Sequence, residues 1–132
     1  MLETIIMETN LIMWVRKIKK YSLTMNNYRN WHFQVNNNLK MLYKEVIAKK
    51  LKERGNIKLK PPIVITIAFF NWTRRKYDLD WMCIIHNKFF CDALVELWYL
   101  EDDSCEFIKC ITYLYWWYDK GNQRVEITVD GF

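Results

Sequence analysis

The apolar and polar positions in the first half of the chain predict three regular segments. Residues 11–18 form a mostly apolar run and predict a short strand that enters a basic region, whereas the Asn-rich segment 22–30 predicts a loop. Apolar residues then recur at steps of three and four, with lysines between them, which predicts a helix over about 34–54 that ends at Gly55-Asn56. The apolar positions of this helix are Leu39, Leu42, Val46 and Ile47.

The second half opens on the clearest strand of the sequence. Residues 63–70 are apolar and rich in β-branched side chains on both faces, so we expect this strand to lie in the centre of a sheet. A basic loop over 71–77 follows. Residues 81–97 then predict a second helix, with Asp80 placed to cap its N-terminus.

Two further strands are predicted near the end of the chain, over 105–118 and 124–129. The turn residues 119–122 (Asp-Lys-Gly-Asn) predict that these strands form a hairpin. The order of elements is strand, helix, strand, helix, strand, strand. It predicts an α+β sandwich with two main helices on a small mixed sheet, in one domain over 1–132 that includes an N-terminal extension, 1–10.

Composition restricts the class of protein. With 132 residues, 52% of them hydrophobic and 17% aromatic, the chain has enough apolar side chains for one core. The sequence contains no uninterrupted apolar stretch of about 18 residues and no basic-apolar leader, so we expect a cytoplasmic protein without a membrane span. The four cysteines form no C-x-x-C pair and are expected to be reduced core thiols; a zinc site that includes His86 is the alternative. They are Cys83, Cys91, Cys105 and Cys110.

The net charge of +5 is unevenly distributed. Residues 11–60 carry 13 Lys or Arg against two Glu, whereas residues 61–132 carry 7 basic against 11 acidic residues. This division predicts a surface that binds a polyanion next to an acidic site. The alternative is that the lysines at the end of the first helix are only solvated. The residues concerned are Lys49, Lys50, Lys52 and Arg54.

The acidic residues of the second half are closely spaced. Five aspartates lie within 26 residues, directly after the basic run Arg74-Arg75-Lys76. Carboxylates beside cations suit a hard divalent metal held against a phosphate, which points to phosphodiester chemistry on a nucleic acid. An ordinary solvated acidic surface is the alternative, and a cap is the alternative for Asp80 alone. The five are Asp78, Asp80, Asp92, Asp102 and Asp103.

Chain length limits how these acids can meet. A helix over 81–97 is about 25 Å long, and the five residues 98–102 span at most about 17 Å. Asp103 therefore returns to Asp80 only along a nearly straight path or past a shorter helix. This suggests that Asp103 completes the site of a second subunit.

Several motifs together resemble the RusA-type Holliday junction resolvases, including phage-encoded members. Ser22-Leu23-Thr24 with Tyr28-Arg29-Asn30-Trp31-His32 is similar to the family's S-L-N and Y-R loop, and Arg74 to Asp80 is similar to its basic run before D-x-D-N. Lys88 with Asp92-Ala93-Leu94 stands in the place of K-x-x-x-D-A-L, and Glu101-Asp102-Asp103-Ser104 in the place of D-D. The resemblance covers about residues 11–130.

The resemblance implies a RusA-like fold, a homodimer and an Mg²⁺-dependent endonuclease, with Mn²⁺ as a substitute, that cuts four-way DNA junctions by paired symmetric nicks. It implies a bacterial host cell, a possible phage origin and no organic cofactor. Asp78, Asp80 and Asp103 would be catalytic metal ligands, Asp102 would be a further metal ligand, and Lys88 would be a catalytic residue that contacts the scissile phosphate. Asp92 would be an accessory or structural acid. If the site binds DNA, a set of basic residues would contact phosphates; a solvated loop is the alternative for the three that precede Asp78. The set is Arg74, Arg75, Lys76, Arg29, Lys19 and Lys20.

One position departs from the family pattern, because Trp81 stands where an Asn usually follows the second aspartate. A second hypothesis is therefore that the chain is a non-catalytic protein with a degraded metal site, which binds branched or single-stranded DNA. Trp72 and Trp31 are either base-stacking or core residues, and the aromatic run 113–118 suggests a dimer interface. We expect His32 and His86 to be structural.

Overall fold

The computed structural model describes residues 2–8, 10–14, 18–55, 58–71, 76–118 and 123–131. Its nine elements confirm a mixed α+β architecture, in which helices and strands are interspersed along the chain. They are β1 (Leu2–Glu8), β2 (Asn10–Trp14), β3 (Ile18–Ser22), α1 (Met25–Asn30), α2 (Phe33–Lys52), β4 (Ile63–Asn71), α3 (Leu79–Glu96), β5 (Ile108–Tyr118) and β6 (Arg124–Asp130).

Four strands form the main sheet, in the order β1-β6-β4-β5. Strand β4 pairs antiparallel with β6 and parallel with β5, and β1 pairs antiparallel with β6. The prediction that β4 is a central strand is therefore confirmed. Strands β2 and β3 pair antiparallel in a separate two-stranded sheet.

Three predictions about local structure are wrong. Strands β5 and β6 do not form a hairpin, because β4 lies between them and takes the backbone hydrogen bonds of both. The strand predicted over 11–18 ends at Trp14, and a second strand begins at Ile18 and pairs with it. The segment predicted as a loop holds the end of β3 and then helix α1, which Thr24 caps by accepting a hydrogen bond from the Asn27 amide at 3.3 Å.

The core lies between the helices and one face of the sheet. Alternate side chains of β4 (Ile63, Ile65, Ile67 and Phe69) and of β6 are fully or almost fully buried, as the period of a strand requires. Helix α2 contributes a buried stripe at four-residue spacing, which includes Leu39 and Ile47 of the predicted positions, whereas Leu42 and Val46 are only partly buried. Each such large apolar side chain contributes about 1.5–3 kcal/mol when it leaves water. The α2 stripe is Leu39, Tyr43, Ile47 and Leu51.

Helix α3 is buried over more of its circumference than α2, because it contacts α1, α2, β4 and β5. Nine of its side chains are buried. Few of its side chains are consequently exposed, and the charged residues among these are the candidates for binding a metal or a phosphate. None of the helices in the described ranges is long and apolar enough to cross a membrane.

Candidate nucleic-acid and metal site

Asp78 and Asp80 lie together at the start of α3, and both are exposed. Asp78 occupies the N-cap position without a side-chain capping bond, and Asp80 lies in the first turn. The prediction that Asp80 caps the helix is thus wrong, because the helix begins at Leu79 and Asp80 is already part of it. The helix dipole places partial positive charge at this end, which stabilises both carboxylates.

Asp103 belongs to the segment that follows α3, and it lies beside a later turn of this helix. After α3 the chain reverses, and Asp103 lines an open cleft of about 320 Å³ together with Asn87, Lys88, Cys91 and Asp92 of α3. Ile108 and Ile111 complete the cleft. The exposed ammonium group of Lys88 and the carboxylate of Asp103 therefore share one surface depression.

An electrostatic interaction and a hydrogen bond link the two acidic positions. Burial raises the pKa of the Tyr113 hydroxyl group, and the charge of Asp80 makes a smaller contribution in the same direction. That hydroxyl accepts a hydrogen bond of 3.0 Å from the Asn87 side chain, which lines the Asp103 cleft. Both aspartates thus lie on the side of α3 that faces β5. We call the surface formed by Asp78, Asp80, Lys88 and Asp103 the candidate site.

The acids of the candidate site do not form one compact cluster. Besides burial, the charge of Asp80 contributes to the raised pKa of Cys83, and the charge of Asp103 contributes to the raised pKa of Cys91. These two cysteines are eight residues apart, about 12 Å along the helix axis. Within the described ranges, no three His, Cys, Asp or Glu side chains are grouped closely enough to hold one ion. Asp78 and Asp80 are near neighbours, and Asp103 stands apart from them.

Asp92 has a different environment from the other acids. Its carboxylate lies 3.0 Å from the Lys40 ammonium group of α2, which also lies 3.5 Å from Glu96. Lys44 contacts Glu96 at 3.1 Å. The hydrogen bond to Asp92 raises the pKa of Lys40, and the hydrogen bond from Lys44 lowers the pKa of Glu96. Asp92 therefore joins two helices.

Lys88 is positioned by an aromatic ring that the sequence did not identify. Its ammonium nitrogen lies 5.1 Å from the centroid of the Tyr28 ring, within the range of a cation–π contact. Tyr28 itself packs edge-on against Phe89, with ring centroids 6.2 Å apart. The Tyr28-Arg29 motif was visible in the sequence, but only the packing of α1 on α3 shows which side chain Tyr28 contacts.

The basic residues are distributed over several elements. Arg29 is exposed in the last turn of α1, Lys20 is exposed on β3, and Lys76 is exposed just before α3. Lys19 belongs to β3, but its side chain lies outside the described part of the structure. Arg74 and Arg75 also lie outside the described residues, as does Trp72.

The remaining candidates have structural environments. His32 caps α2, since its Nδ1 accepts a hydrogen bond from the Gln34 amide at 3.2 Å. Trp31 packs edge-on against Tyr21 beside the core. Burial raises the pKa of the Cys83 and Cys91 thiols to about 12, with smaller contributions from nearby aspartates, whereas Cys105 and Cys110 are exposed.

His86 is fully buried between α2 and α3. Its Nδ1 lies 3.0 Å from the Tyr43 hydroxyl, and its Nε2 has no hydrogen-bond partner among the described residues. Burial lowers the pKa of His86 to about 3, so the ring is neutral near pH 7. A neutral buried histidine suits a role in packing.

Comparison with known proteins gives no assignment. No protein-family model matches this chain, and no curated protein matches it.

Proposed function

We propose that this protein is a metal-dependent, structure-selective endodeoxyribonuclease that resolves four-way DNA junctions by paired nicks. The observation that carries the proposal is the set of exposed carboxylates at Asp78, Asp80 and Asp103. In the described part of the chain, none of them forms an ion pair, although the protein is basic overall. Lys88 lies in the same cleft as Asp103, and the sequence motifs resemble those of RusA-type resolvases.

Asp78 and Asp80 fit the requirements for binding Mg²⁺ or Mn²⁺. Their oxygens are hard ligands, they are accessible, and they are two residues apart at a helix N-terminus. A bound divalent ion would neutralise phosphate charge and lower the pKa of a water molecule. Asp103, in the segment after α3, does not form one ligand group with them among the described residues, and Asp102 is exposed one residue before it.

The other residues of the site act on the DNA backbone. Lys88 would hold a phosphate in the cleft beside Asp103, and Tyr28 would fix the position of its ammonium group. Arg29, Lys20 and Lys76 would contact phosphates farther away, which gives affinity without sequence readout. A homodimer would supply two such sites for the two nicks.

The test compares two carboxylate-to-amide changes on one helix. A four-way junction is labelled on each strand in turn, and cleavage is measured with and without Mg²⁺ for wild type, Asp80→Asn and Glu96→Gln. We expect paired nicks that require the metal. Asp80→Asn should lose at least about 100-fold in rate, since even residues that support metal ligands contribute about 10–100-fold. Its affinity for the junction should change by less than about threefold, because the basic residues remain.

Glu96→Gln is the matched control, because Glu96 pairs with Lys40 and Lys44 and is not among the residues that line the cleft of Lys88 and Asp103. This variant should lower the melting temperature slightly while cleavage stays within about threefold of wild type. Equal loss of cleavage in both variants would contradict the assignment of Asp80.

A second candidate function rests on Trp81, which is 43% exposed directly after Asp80 and brings a bulky apolar side chain to the metal-binding end of α3. Junction-selective binding without nicks, in both Mg²⁺ and Mn²⁺, would favour this alternative, a non-catalytic DNA-binding protein.

A further inference from the structure

The C-terminus of α3 carries a tryptophan where glycine is normally favoured. The amide of Trp98 donates to the carbonyl of Val95 at 3.1 Å, and the amide of Tyr99 donates to the carbonyl of Leu94 at 2.9 Å. These two bonds define a Schellman motif in which Trp98 is the first residue after the C-cap. Its φ angle is 66°, in the left-handed region that is unfavourable for residues with a Cβ atom.

Packing does not compensate for this backbone conformation. The Trp98 side chain is 92% exposed, the highest value among the large hydrophobic residues of the described ranges. An indole ring in water loses the free energy that its burial would provide. Tryptophan at this position therefore stabilises neither the backbone nor the core of this chain. A ligand that covered the ring would gain the free energy of burying it.

Two shallow clefts adjoin the ring. One, of about 420 Å³, is lined by apolar and aromatic residues and by Glu101. The other, of about 330 Å³, contains Lys58. Trp98 lines both clefts, as do Leu59 and Tyr99. The residues that share the first cleft with Trp98 and Glu101 are Leu59, Pro61, Tyr99, Leu100 and Phe107.

The charge of the adjoining segment favours one class of ligand. Between residues 49 and 60 the chain carries six cations and only Glu53 as an acid, whereas the segment of Trp98 itself, 96–106, carries five acids and no Lys or Arg. Lys58 lies in the cleft beside Trp98, and Lys60 is exposed two residues later. An exposed aromatic ring next to cations is the arrangement by which proteins bind unpaired nucleotides, since any base can stack on the ring while the cations hold phosphates. Glu101 is the one acid that lines these clefts.

We propose that Trp98 stacks on an unpaired base of a nucleic acid whose backbone is held by Lys58 and Lys60. The inference rests on the proposed function, because it takes DNA as the ligand. It adds a second contact region: α3 has 18 residues, so Trp98 lies about 27 Å from Asp80, or about eight base pairs of duplex. The contact would therefore lie on a part of the substrate away from the nick.

The test uses three variants and two probes. The variants are Trp98→Gly, Trp98→Phe and, as a control that removes another exposed aromatic ring, Phe33→Ala, whose wild-type side chain is 64% exposed. Affinity is measured by fluorescence anisotropy with a labelled 12-nucleotide dT strand and with a labelled four-way junction. Thermal unfolding is measured for each variant.

Trp98→Gly should weaken binding to the dT strand by about 5–100-fold, because the stacking contact is lost. The same variant should unfold about 3–5 °C higher than wild type, because glycine relieves the left-handed residue. Trp98→Phe should retain most of the affinity, and Phe33→Ala should change it by less than about twofold. Weaker binding by a more stable protein excludes misfolding as the cause.

Unchanged affinity in Trp98→Gly would overturn the inference. It would also be overturned if this variant bound DNA normally but changed the sedimentation of the protein alone, since the ring would then be covered by another copy of the chain. The outcome is independent of the nuclease test: Asp80→Asn reports on cleavage, and Trp98→Gly reports on binding. If wild type bound neither probe, both proposals would fail.

Discussion

The carboxylates around α3 differ in whether they have a counter-charge. Those of Asp92 and Glu96 are held by Lys40 and Lys44 of α2 at 3.0–3.5 Å, and Asp92 also lines the cleft of Lys88 and Asp103. At the candidate site, the carboxylates of Asp78, Asp80 and Asp103 have no ion-pair partner among the described residues and are exposed.

This difference separates acids that hold the fold together from acids that remain available. A carboxylate in an interhelical ion pair already has its counter-charge, so binding a metal there would first require breaking that pair. An exposed carboxylate without such a pair gains a counter-charge when it binds a cation. Both groups consist of carboxylates and each has a member on α3, so that substitutions of Asp80 and Glu96 measure the difference directly.

Within the candidate site, the largest loss of cleavage rate after that of Asp80→Asn is expected when Lys88 is substituted. We predict that Lys88→Met lowers the cleavage rate by about 100-fold or more, since a positioned charge that stabilises a reacting phosphate contributes on this scale. Tyr28→Leu should lower the rate by only about 2–5-fold, because the cation–π contact of an exposed lysine contributes about 0.5–1 kcal/mol. Single-turnover cleavage of a labelled junction measures both.

Tyr28→Phe is the control for this pair, because it keeps the aromatic ring under the ammonium group. It should cleave at nearly the wild-type rate. If Tyr28→Phe were as slow as Tyr28→Leu, the hydroxyl and not the ring would matter, and the positioning role of Tyr28 would have to be abandoned.

The sequence predicted the elements that its local patterns encode. The two main helices begin and end within two residues of their predicted limits, because the apolar period and Gly55 are local signals; Gly55 has a φ of 84°. The central position of β4 was predictable because both of its faces are apolar. Strand partners were not predictable in the same way, since the turn residues at 119–122 do not show that β4 lies between β5 and β6.

The sequence predicted which types of residue form the candidate site, but it predicted their spatial arrangement less well. The spacing of Asp78 and Asp80 is local and places them together at one helix end. The separation of Asp103 from them depends on where the chain reverses after α3. The ion pair of Asp92 with Lys40 and the contact of Tyr28 with Lys88 depend on how three helices pack, which no single segment encodes.

The buried side of α3 should respond to pH through His86. Its pKa is about 3 in the folded protein and about 6.5 when unfolded, so between these values the unfolded chain binds more protons and stability falls as pH decreases. We predict a loss of about 2 kcal/mol in the free energy of unfolding between pH 6.5 and 4.5, as measured by urea denaturation. His86→Gln should be less stable at pH 7 and should lack most of this dependence. An equal slope in the variant would assign the titration to other groups.

The smallest effect on the free energy of unfolding is expected from the ion pairs between α2 and α3. Because hydrogen bonding to Lys44 lowers the pKa of Glu96, its contribution is present above the unfolded value of about 4.3 and disappears as pH falls through the lower folded value. The Glu96 side chain is 42% exposed, so a double-mutant cycle of Glu96→Gln and Lys44→Met should give a coupling free energy of less than about 1 kcal/mol at pH 7. The coupling should decrease in 1 M NaCl and vanish once the pH falls below the lowered pKa of Glu96. A parallel cycle of Asp80→Asn and Lys44→Met should give no coupling, because Asp80 has no ion-pair partner on α2. A coupling free energy between Lys44 and Asp80 would show that Lys44 also acts on an acid of the candidate site. The distinction between paired and unpaired carboxylates would then not hold.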